Sequence, residues 1–355
     1  MSYSRISGVR LAGVASAVPA QRAGLAEGSA VFGEESVRKV SEATGVIQRR
    51  VAPRDVCTSD LCVAAAEHLL KELDRPASGI GGLIFISQTP DYVLPATSHV
   101  LQHRLGLPDS AFAFDVNLGC SGYVYGLWLA ASLVLSTARP VLLLVGDTIN
   151  KIASPVDQSV ALLFGDAGAA TLLDPADDTP PMHFLFGTDG AGAEHLIVPA
   201  GGFRLPRSSV TAARTAKETE SNVRSDEDLY MNGAEVFAFT LQRVPKMVRQ
   251  LLEASGHTLD DADAVIFHQA NAFMLEHLRK KLKVPPEKFI VEIGQYGNTS
   301  SASIPLAMTV SSVIRSLSKA PSARLLLGGF GVGFSWGAAW IEINNLSLPT
   351  LREIA

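Results

Sequence analysis

Short apolar runs alternate along the chain with polar turns, and several of these runs are apolar at every position. "GGLIFIS" at 81–87, "RPVLLLVGD" at 139–147, "ADAVIFH" at 262–268 and "ARLLLGGFG" at 323–331 each end in polar or glycine residues. Continuous apolar runs of that length predict strands buried on both faces, as in an α/β fold. Two longer stretches, Val116 to Ala138 and Ile293 to Ile314, carry no charge at all. The first is long enough to cross a bilayer. Its opening third, however, holds Asn117, two glycines and Ser121, and strand-like runs flank it on both sides. A helix enclosed between sheets is apolar all round without touching lipid, so a buried helix is predicted and no membrane span.

The pattern repeats. "GGLIFISQTPDY", "FAFDVNLGCSGYVYGLWLAASLV" and "RPVLLLVGDT" recur in kind as "ADAVIFHQANAF", "FIVEIGQYGNTSSASIPLAMTVSSVI" and "ARLLLGGFGVGFSWGAAW". The fold class implied is α/β: two pseudo-duplicated halves with mixed sheets, packed around central buried helices at 120–137 and 299–315 set back to back. Residues 1–175 form the first half and 234–355 the second. Residues 176–233 form a connecting excursion, whose charged, Ser- and Thr-rich part from 201 onward borders the site. Superimposing the halves sets Asn298 opposite Cys120 and brings His268 to the end of a strand matching the one that stops near Ser87. Ligands in α/β folds bind at the carboxyl ends of strands, so these polar residues are site candidates.

Composition narrows the function. A net charge of −5 and a single short basic cluster, "LRKKLK" at 278–283, leave no footprint for nucleic acid. Cysteines at 57, 62 and 120 are too few for a disulfide framework and have no zinc spacing, so no metal is expected and a reducing cytoplasm fits. The N-terminal "MSYSRISGVRLAGVASAVPA" lacks a continuous apolar core and reads as a first strand.

Each candidate has a bland reading. A lone cysteine in apolar surroundings is commonly a core thiol, a histidine ending a strand is commonly satisfied by backbone, and Asn298 suits a helix cap. Cys120, at a glycine-flanked strand-to-helix turn, gains in the other direction from the helix N-terminus, which favours thiolate. Cys120, His268 and Asn298 together, on matching element ends of a duplicated fold, point to nucleophilic catalysis. Asp166 in "FGDAGAA" reads as part of a structural turn, with a catalytic base as the lesser alternative.

"DVNLGCSGYVYGL", "FGDAGAA", "HQAN", "GNTSSASIP" and "GGFGVGFSWGAA" resemble, in unbroken order, the 3-oxoacyl-(acyl carrier protein) synthase III family of the thiolase-fold superfamily. The resemblance implies a homodimeric ketoacyl synthase with no cofactor beyond its thioester substrates, acyl-coenzyme A or acyl-carrier protein and malonyl-acyl carrier protein. Cys120 matches the nucleophile that takes the acyl group. The backbone N–H groups of Cys120 and Val332 match the oxyanion donors, and His268 and Asn298 the donors to the enolate left by decarboxylation. Each such contact is worth about 2.7–4 kcal/mol in a transition state. Phe330 and Phe334 are expected to keep the pocket dry. Arg279, Lys280 and Lys281 are expected to dock the acyl carrier protein.

The chain departs from the family in three places. No aromatic residue precedes "TGV" at 44–46, and Phe273 stands where an arginine is usual at the channel mouth. Leu94, in a loop expected to floor the partner's acyl pocket, replaces an aromatic residue. These changes argue against acetyl-coenzyme A as primer and suit a specialised lipid or secondary-metabolite pathway. Acyl transfer to a small alcohol or amine, and a non-catalytic carrier-binding subunit, are the alternatives. No cysteine follows Cys120, unlike thiolases, and Asn298 stands where elongating synthases carry a second histidine.

Overall fold

A computed structural model describes all 355 residues. Two six-stranded mixed sheets form the frame. In one, the order is Arg352–Ile354, Val9–Pro19, Ala167–Pro175, Val141–Asp147, Gly82–Ile86 and Phe112–Val116. In the other it is Ser2–Ile6, Met182–Thr188, Ser335–Ile343, Ala323–Gly331, Ala264–Phe267 and Phe289–Ile290. From the second strand onward the two sheets have the same sense of pairing, antiparallel, antiparallel, parallel, parallel. The chain therefore does contain two copies of one α/β unit.

The Gly122–Thr137 and Ser303–Val310 helices share the layer between the sheets. Their side chains join the inward faces of both sheets in one core that includes Tyr123, Leu127, Leu143, Ile304 and Leu327. Two further cores cover the outer faces, one under the Thr58–Glu72 helix and one under the Gly233–Ser255 helix. Five layers result. The strands under this double cover are apolar at every position because neither face meets water. A Cβ on Gly126 would come within 2.6 Å of Ile86 and 2.8 Å of Leu143, so glycine lets the central helix lie directly on its sheet. No helix is long and apolar enough to cross a membrane, and the uncharged run from Val116 is accounted for by strand end, turn and core helix.

Two expectations change. The two central helices share the middle layer as expected, each touching both sheets. The second is broken into a turn at Ser300–Ala302 and two helices, Ser303–Val310 and Ser312–Leu317, because Ser311 takes an extended backbone. The segment 176–233 also opens with a core strand, Met182–Thr188, which pairs with Ser335–Ile343 and occupies the place that Val9–Pro19 holds in the first sheet. The terminal strands cross over: Ser2–Ile6 joins the second sheet and Arg352–Ile354 the first. The rest of the excursion is pinned by Arg224, which reaches Asp157 at 3.1 Å and Glu218 at 2.8 Å.

Candidate active site

Cys120 follows the Phe112–Val116 strand and stands two residues ahead of the Gly122–Thr137 helix. The turn closes through Gly122 N–H donating to the Gly119 carbonyl at 2.7 Å. A Cβ on Gly119 would lie 2.1 Å from Gln88 Oε1, so the bare glycine lets the Gln88 side chain lie directly on the turn. From the other sheet Gly331 presses against the cysteine: a Cβ there would lie 2.7 Å from Cys120 Cβ and 3.0 Å from Sγ.

His268 is the first residue beyond the Ala264–Phe267 strand, and its backbone N–H donates to the Gly328 carbonyl at 2.7 Å. Its ring is buried, with Nδ1 2.7 Å from Ser303 Oγ and the Phe330 ring edge-on at 5.7 Å between centroids. Asn298 is held through its backbone, donating to the Leu163 carbonyl at 2.9 Å and accepting from Gly165 N–H at 3.0 Å. A Cβ on Gly165 would collide with the Tyr296 carbonyl at 1.8 Å, which is why the "FGDAGAA" turn needs its glycine. Asn298 Oδ1 accepts from Ser300 N–H at 2.9 Å, leaving Nδ2 without a partner in the protein.

Cys120, His268 and Asn298 line one narrow cavity of about 70 Å³ together with Phe164, Phe330 and Met231. A second, largely apolar cavity of about 380 Å³ opens on another side of Cys120, where Val332, Ser300, Ile149, Ile152 and Leu196 line it. Leu196 and Met231 come from the two ends of the 196–231 excursion, which therefore borders both cavities. A larger open groove of about 640 Å³ contains none of the three residues, so size alone would misplace the chemistry.

Burial dominates the electrostatics. It pushes the Cys120 thiol up to about 12, helped by the charge of Asp147; Ser300 and the backbone N–H groups of Cys120 and Val332 pull weakly the other way. The helix N-terminus thus does not yield a free thiolate, contrary to the expectation from the turn alone, because desolvating a bare anion outweighs a partial dipole. Burial likewise drives His268 down to about 3, so the imidazole is neutral. Asp166 is a bracing carboxylate: it accepts from Ala52 N–H at 2.8 Å and from the backbone and side chain of Asn150, and burial lifts it to about 6.

Several residues had no part in the sequence reading. Buried Asp147, at the end of the Val141–Asp147 strand, accepts from Gln88 N–H at 2.7 Å and from Ser301 Oγ–H at 2.7 Å. It ties the first unit to the Asn298 loop of the second. The available signals were a charged residue ending an apolar strand and the density of hydroxyls in "GNTSSAS".

Other candidates lie elsewhere. Phe334 does not line either Cys120 cavity; it faces the outer groove, stacked on Phe239 at 4.2 Å and His195 at 5.8 Å. Phe330 lies inside the Ala323–Gly331 strand and enters the cavity, whereas Phe334 lies beyond that strand, in the turn before Ser335–Ile343, and is carried to the groove. Phe273 is half exposed and lines neither cavity, although its neighbours Asn271 and Met274 do; it stacks on Phe237 at 5.5 Å and meets the His277 ring at a tilt at 4.2 Å. Leu94 is 80% exposed beside Val93 at 83% and lines no cavity of its own chain. Arg279 is engaged bidentately by Glu276 at 2.7 Å, Lys280 approaches the same carboxylate at 3.3 Å, and Lys281 donates to the Leu241 carbonyl.

Comparison with known proteins agrees with this geometry. Residues 114–190 match the 3-oxoacyl-(acyl-carrier-protein) synthase III family and residues 252–343 its C-terminal region. The beta-ketoacyl-(acyl-carrier-protein) synthase III of Rhodopirellula baltica is 34% identical over 354 residues, covering 94% of this chain and 98% of its own. The chain belongs to the 3-oxoacyl-(acyl-carrier-protein) synthase III family. Among solved members, the 3-oxoacyl-(acyl-carrier protein) synthase of Burkholderia xenovorans LB400 superimposes with a TM-score of 0.93 at 44% identity, covering 99% of each chain. The priming beta-ketosynthase of the R1128 polyketide pathway has a TM-score of 0.78 at 26% identity, over 97% of this chain and 98% of that one. Like the family, the chain is a condensing acyltransferase with a thiolase fold.

Proposed function

We propose that the protein transfers an acyl group from a coenzyme A or carrier-protein thioester to Cys120 and condenses it with malonyl-acyl carrier protein, releasing carbon dioxide. One observation carries this reading: Cys120 stands between a narrow cavity bearing His268 and Asn298 and a wider apolar one bearing Val332. The sulfur thereby divides a site for the extender from a site for the acyl chain.

In the first half-reaction Sγ attacks the thioester carbon as its proton leaves, since burial keeps the resting thiol protonated. The tetrahedral oxyanion takes N–H donation from Cys120 and Val332, the two backbone amides directed at the sulfur. The donor thiol departs with the proton. In the second, the malonyl carboxylate leaves as carbon dioxide, and the electron pair it releases becomes an enolate held by His268 and Asn298. The enolate carbon attacks the acyl-Cys120 carbonyl, the carbon–sulfur bond breaks, and the sulfur takes up one proton from solvent to regenerate the thiol, balancing the proton that left with the donor thiol. Both enolate donors are neutral, which suits a step that must not trap its own anion. The reaction so drawn needs no cofactor beyond the thioesters.

The wider cavity holds on the order of a dozen water-sized groups, room for an acyl chain well beyond acetyl. Homodimerisation is supported by the exposed Tyr92, Val93 and Leu94 loop and by the Phe112–Val116 strand, which ends its sheet with a free edge. The helix Ala272–Leu282 carries the proposed carrier-docking run, with Lys280 and Lys281 contributing charge that the bidentate Arg279–Glu276 pair does not consume.

The deciding experiment offers a panel of acyl-coenzyme A and acyl-carrier thioesters and reads the mass of the Cys120 peptide, then adds malonyl-carrier protein. An acyl adduct lost in Cys120→Ala, followed by carbon dioxide and a product two carbons longer, is expected. Adduct formation followed by transfer without carbon dioxide would establish simple acyl transfer, and no adduct from any donor would remove the nucleophile.

A further inference from the structure

We infer that Ser303 is a positioning residue for the condensation half-reaction: its hydroxyl donates to His268 Nδ1 and so fixes the ring in the Nε2–H form that faces the Cys120 cavity. The inference rests on the role proposed above for His268, and deepens it.

The argument is a count of protons. Ser303 is buried at the start of the Ser303–Val310 helix. Its Oγ lies 2.7 Å from His268 Nδ1 and accepts a bond from the Gln269 backbone N–H at 3.3 Å, and it makes no other hydrogen bond. A hydroxyl has one proton to give and two lone pairs. With one lone pair occupied by Gln269, the proton finds an acceptor only at Nδ1. The reverse arrangement, with Nδ1–H donating to Ser303, would leave a buried hydroxyl proton without a partner, and unmade bonds in a dry interior are costly. The Ser300 backbone also lies near the ring, but it forms no bond with it that meets ordinary hydrogen-bond geometry. The nitrogen that bonds fixes the tautomer of the other.

Nε2 itself makes no hydrogen bond inside the protein and is not sealed from the cavity that His268 lines. The Phe330 ring, edge-on to the imidazole, fixes its plane. Ser303 thus does for His268 what Ser300 does for Asn298: each engages one end of the side chain and leaves a single donor to meet the enolate oxygen.

The test begins with the wild-type protein labelled with 15N-histidine. The expected spectrum assigns His268 a protonated Nε2 and an unprotonated Nδ1; a protonated Nδ1 overturns the inference whatever the activity. Ser303→Ala is then expected to retain acylation of Cys120 while malonyl decarboxylation falls roughly 10- to 100-fold, the usual cost of losing a residue that orients a functional ligand. Ser303→Thr, which keeps the hydroxyl, is expected to restore both the tautomer and the rate. Wild-type decarboxylation in Ser303→Ala, or equal loss of both half-reactions, would also overturn it. If the wild type itself neither takes an acyl group on Cys120 nor releases carbon dioxide, the proposed function fails, and the tautomer assignment stands or falls separately on the spectrum.

Discussion

Ser300 donates its backbone N–H to Asn298 Oδ1 across 2.9 Å, and that bond decides which end of the amide faces Cys120. With the oxygen occupied, the NH2 end is the one presented to the cavity. Asn298→Asp preserves the shape and the bond from Ser300 but replaces the donor with a second anionic oxygen. Decarboxylation is expected to fall at least ~100-fold, the scale of a lost oxyanion donor, with acylation of Cys120 retained. Separate single-turnover measurements of the adduct and of carbon dioxide check this. Parallel loss of both steps would show that Asn298 serves the two half-reactions alike.

Gly331 is the contact through which the second sheet sets the position of the sulfur. Its missing side chain leaves space that a Cβ would take at 2.7 Å from Cys120 Cβ. Gly331→Ala is expected to push Cys120 away from the strand, because a Cβ at that distance is closer than real contacts allow and Cys120 Cβ is not the end of a flexible chain, and so to displace the sulfur from the N–H groups of Cys120 and Val332. A misplacement approaching 1 Å costs about 100-fold. The rate of Cys120 acylation is the readout, and a wild-type rate would show that the strand does not set the nucleophile.

Burial lowers His268 to about 3, which has consequences for both activity and stability. Decarboxylation by preformed acyl-Cys120 enzyme is expected to be flat through the ordinary histidine range near pH 6.5, because the folded-state ring stays neutral there. An inflection near pH 6.5 would contradict a neutral donor. For stability the sign follows from where protons bind. Below about pH 6.5 the unfolded chain protonates this histidine and the folded one does not, so the stability present above that pH is lost as the pH falls toward 3. His268→Gln removes that part of the slope in denaturant titrations at successive pH values.

The duplication was legible because doubly buried strands and enclosed helices leave long uncharged runs, and those runs recur in order. Placing Cys120, His268 and Asn298 at equivalent element ends followed from that register. Met182–Thr188 was missed as a strand because its counterpart, Val9–Pro19, is at the far end of the other unit, and nothing local marks the two as equivalent. Ser303 and Asp147 were invisible for a different reason. Serines and a strand-end aspartate are common, and only the fold brings Ser303 to the histidine and Asp147 to Ser301. Phe334 was misassigned because it lies in the turn between the Ala323–Gly331 and Ser335–Ile343 strands, and the path of a turn is not written in the alternation of residues along a strand.

Asp147 links the two units beneath the nucleophile, accepting from Gln88 on one side and Ser301 on the other. Asp147→Asn replaces one acceptor oxygen with a donor that faces other donors. A loss of about 2–3 kcal/mol is expected from the weakened charge-assisted bonds, visible in chemical denaturation. The same substitution removes a negative charge that raises the Cys120 thiol, so alkylation of Cys120 by iodoacetamide at fixed pH is expected to quicken. Unchanged or slower alkylation would show that the charge is not felt at the sulfur.

Phe273, where the family resemblance leads one to expect an arginine, stacks half exposed on Phe237 beside Asn271 and Met274 of the cavity wall. An aromatic face offers nothing to a phosphate, whereas a guanidinium binds one through paired hydrogen bonds. Phe273→Arg is therefore expected to lower KM for acyl-coenzyme A while leaving kcat and the KM for a phosphate-free acyl-pantetheine thioester unchanged. The comparison between the two donors isolates the phosphate contact from any change in the cavity. If KM falls equally for both, Phe273 acts through the shape of the mouth; if it falls for neither, the donor's phosphates enter along another face, and the missing arginine says nothing about the choice of donor.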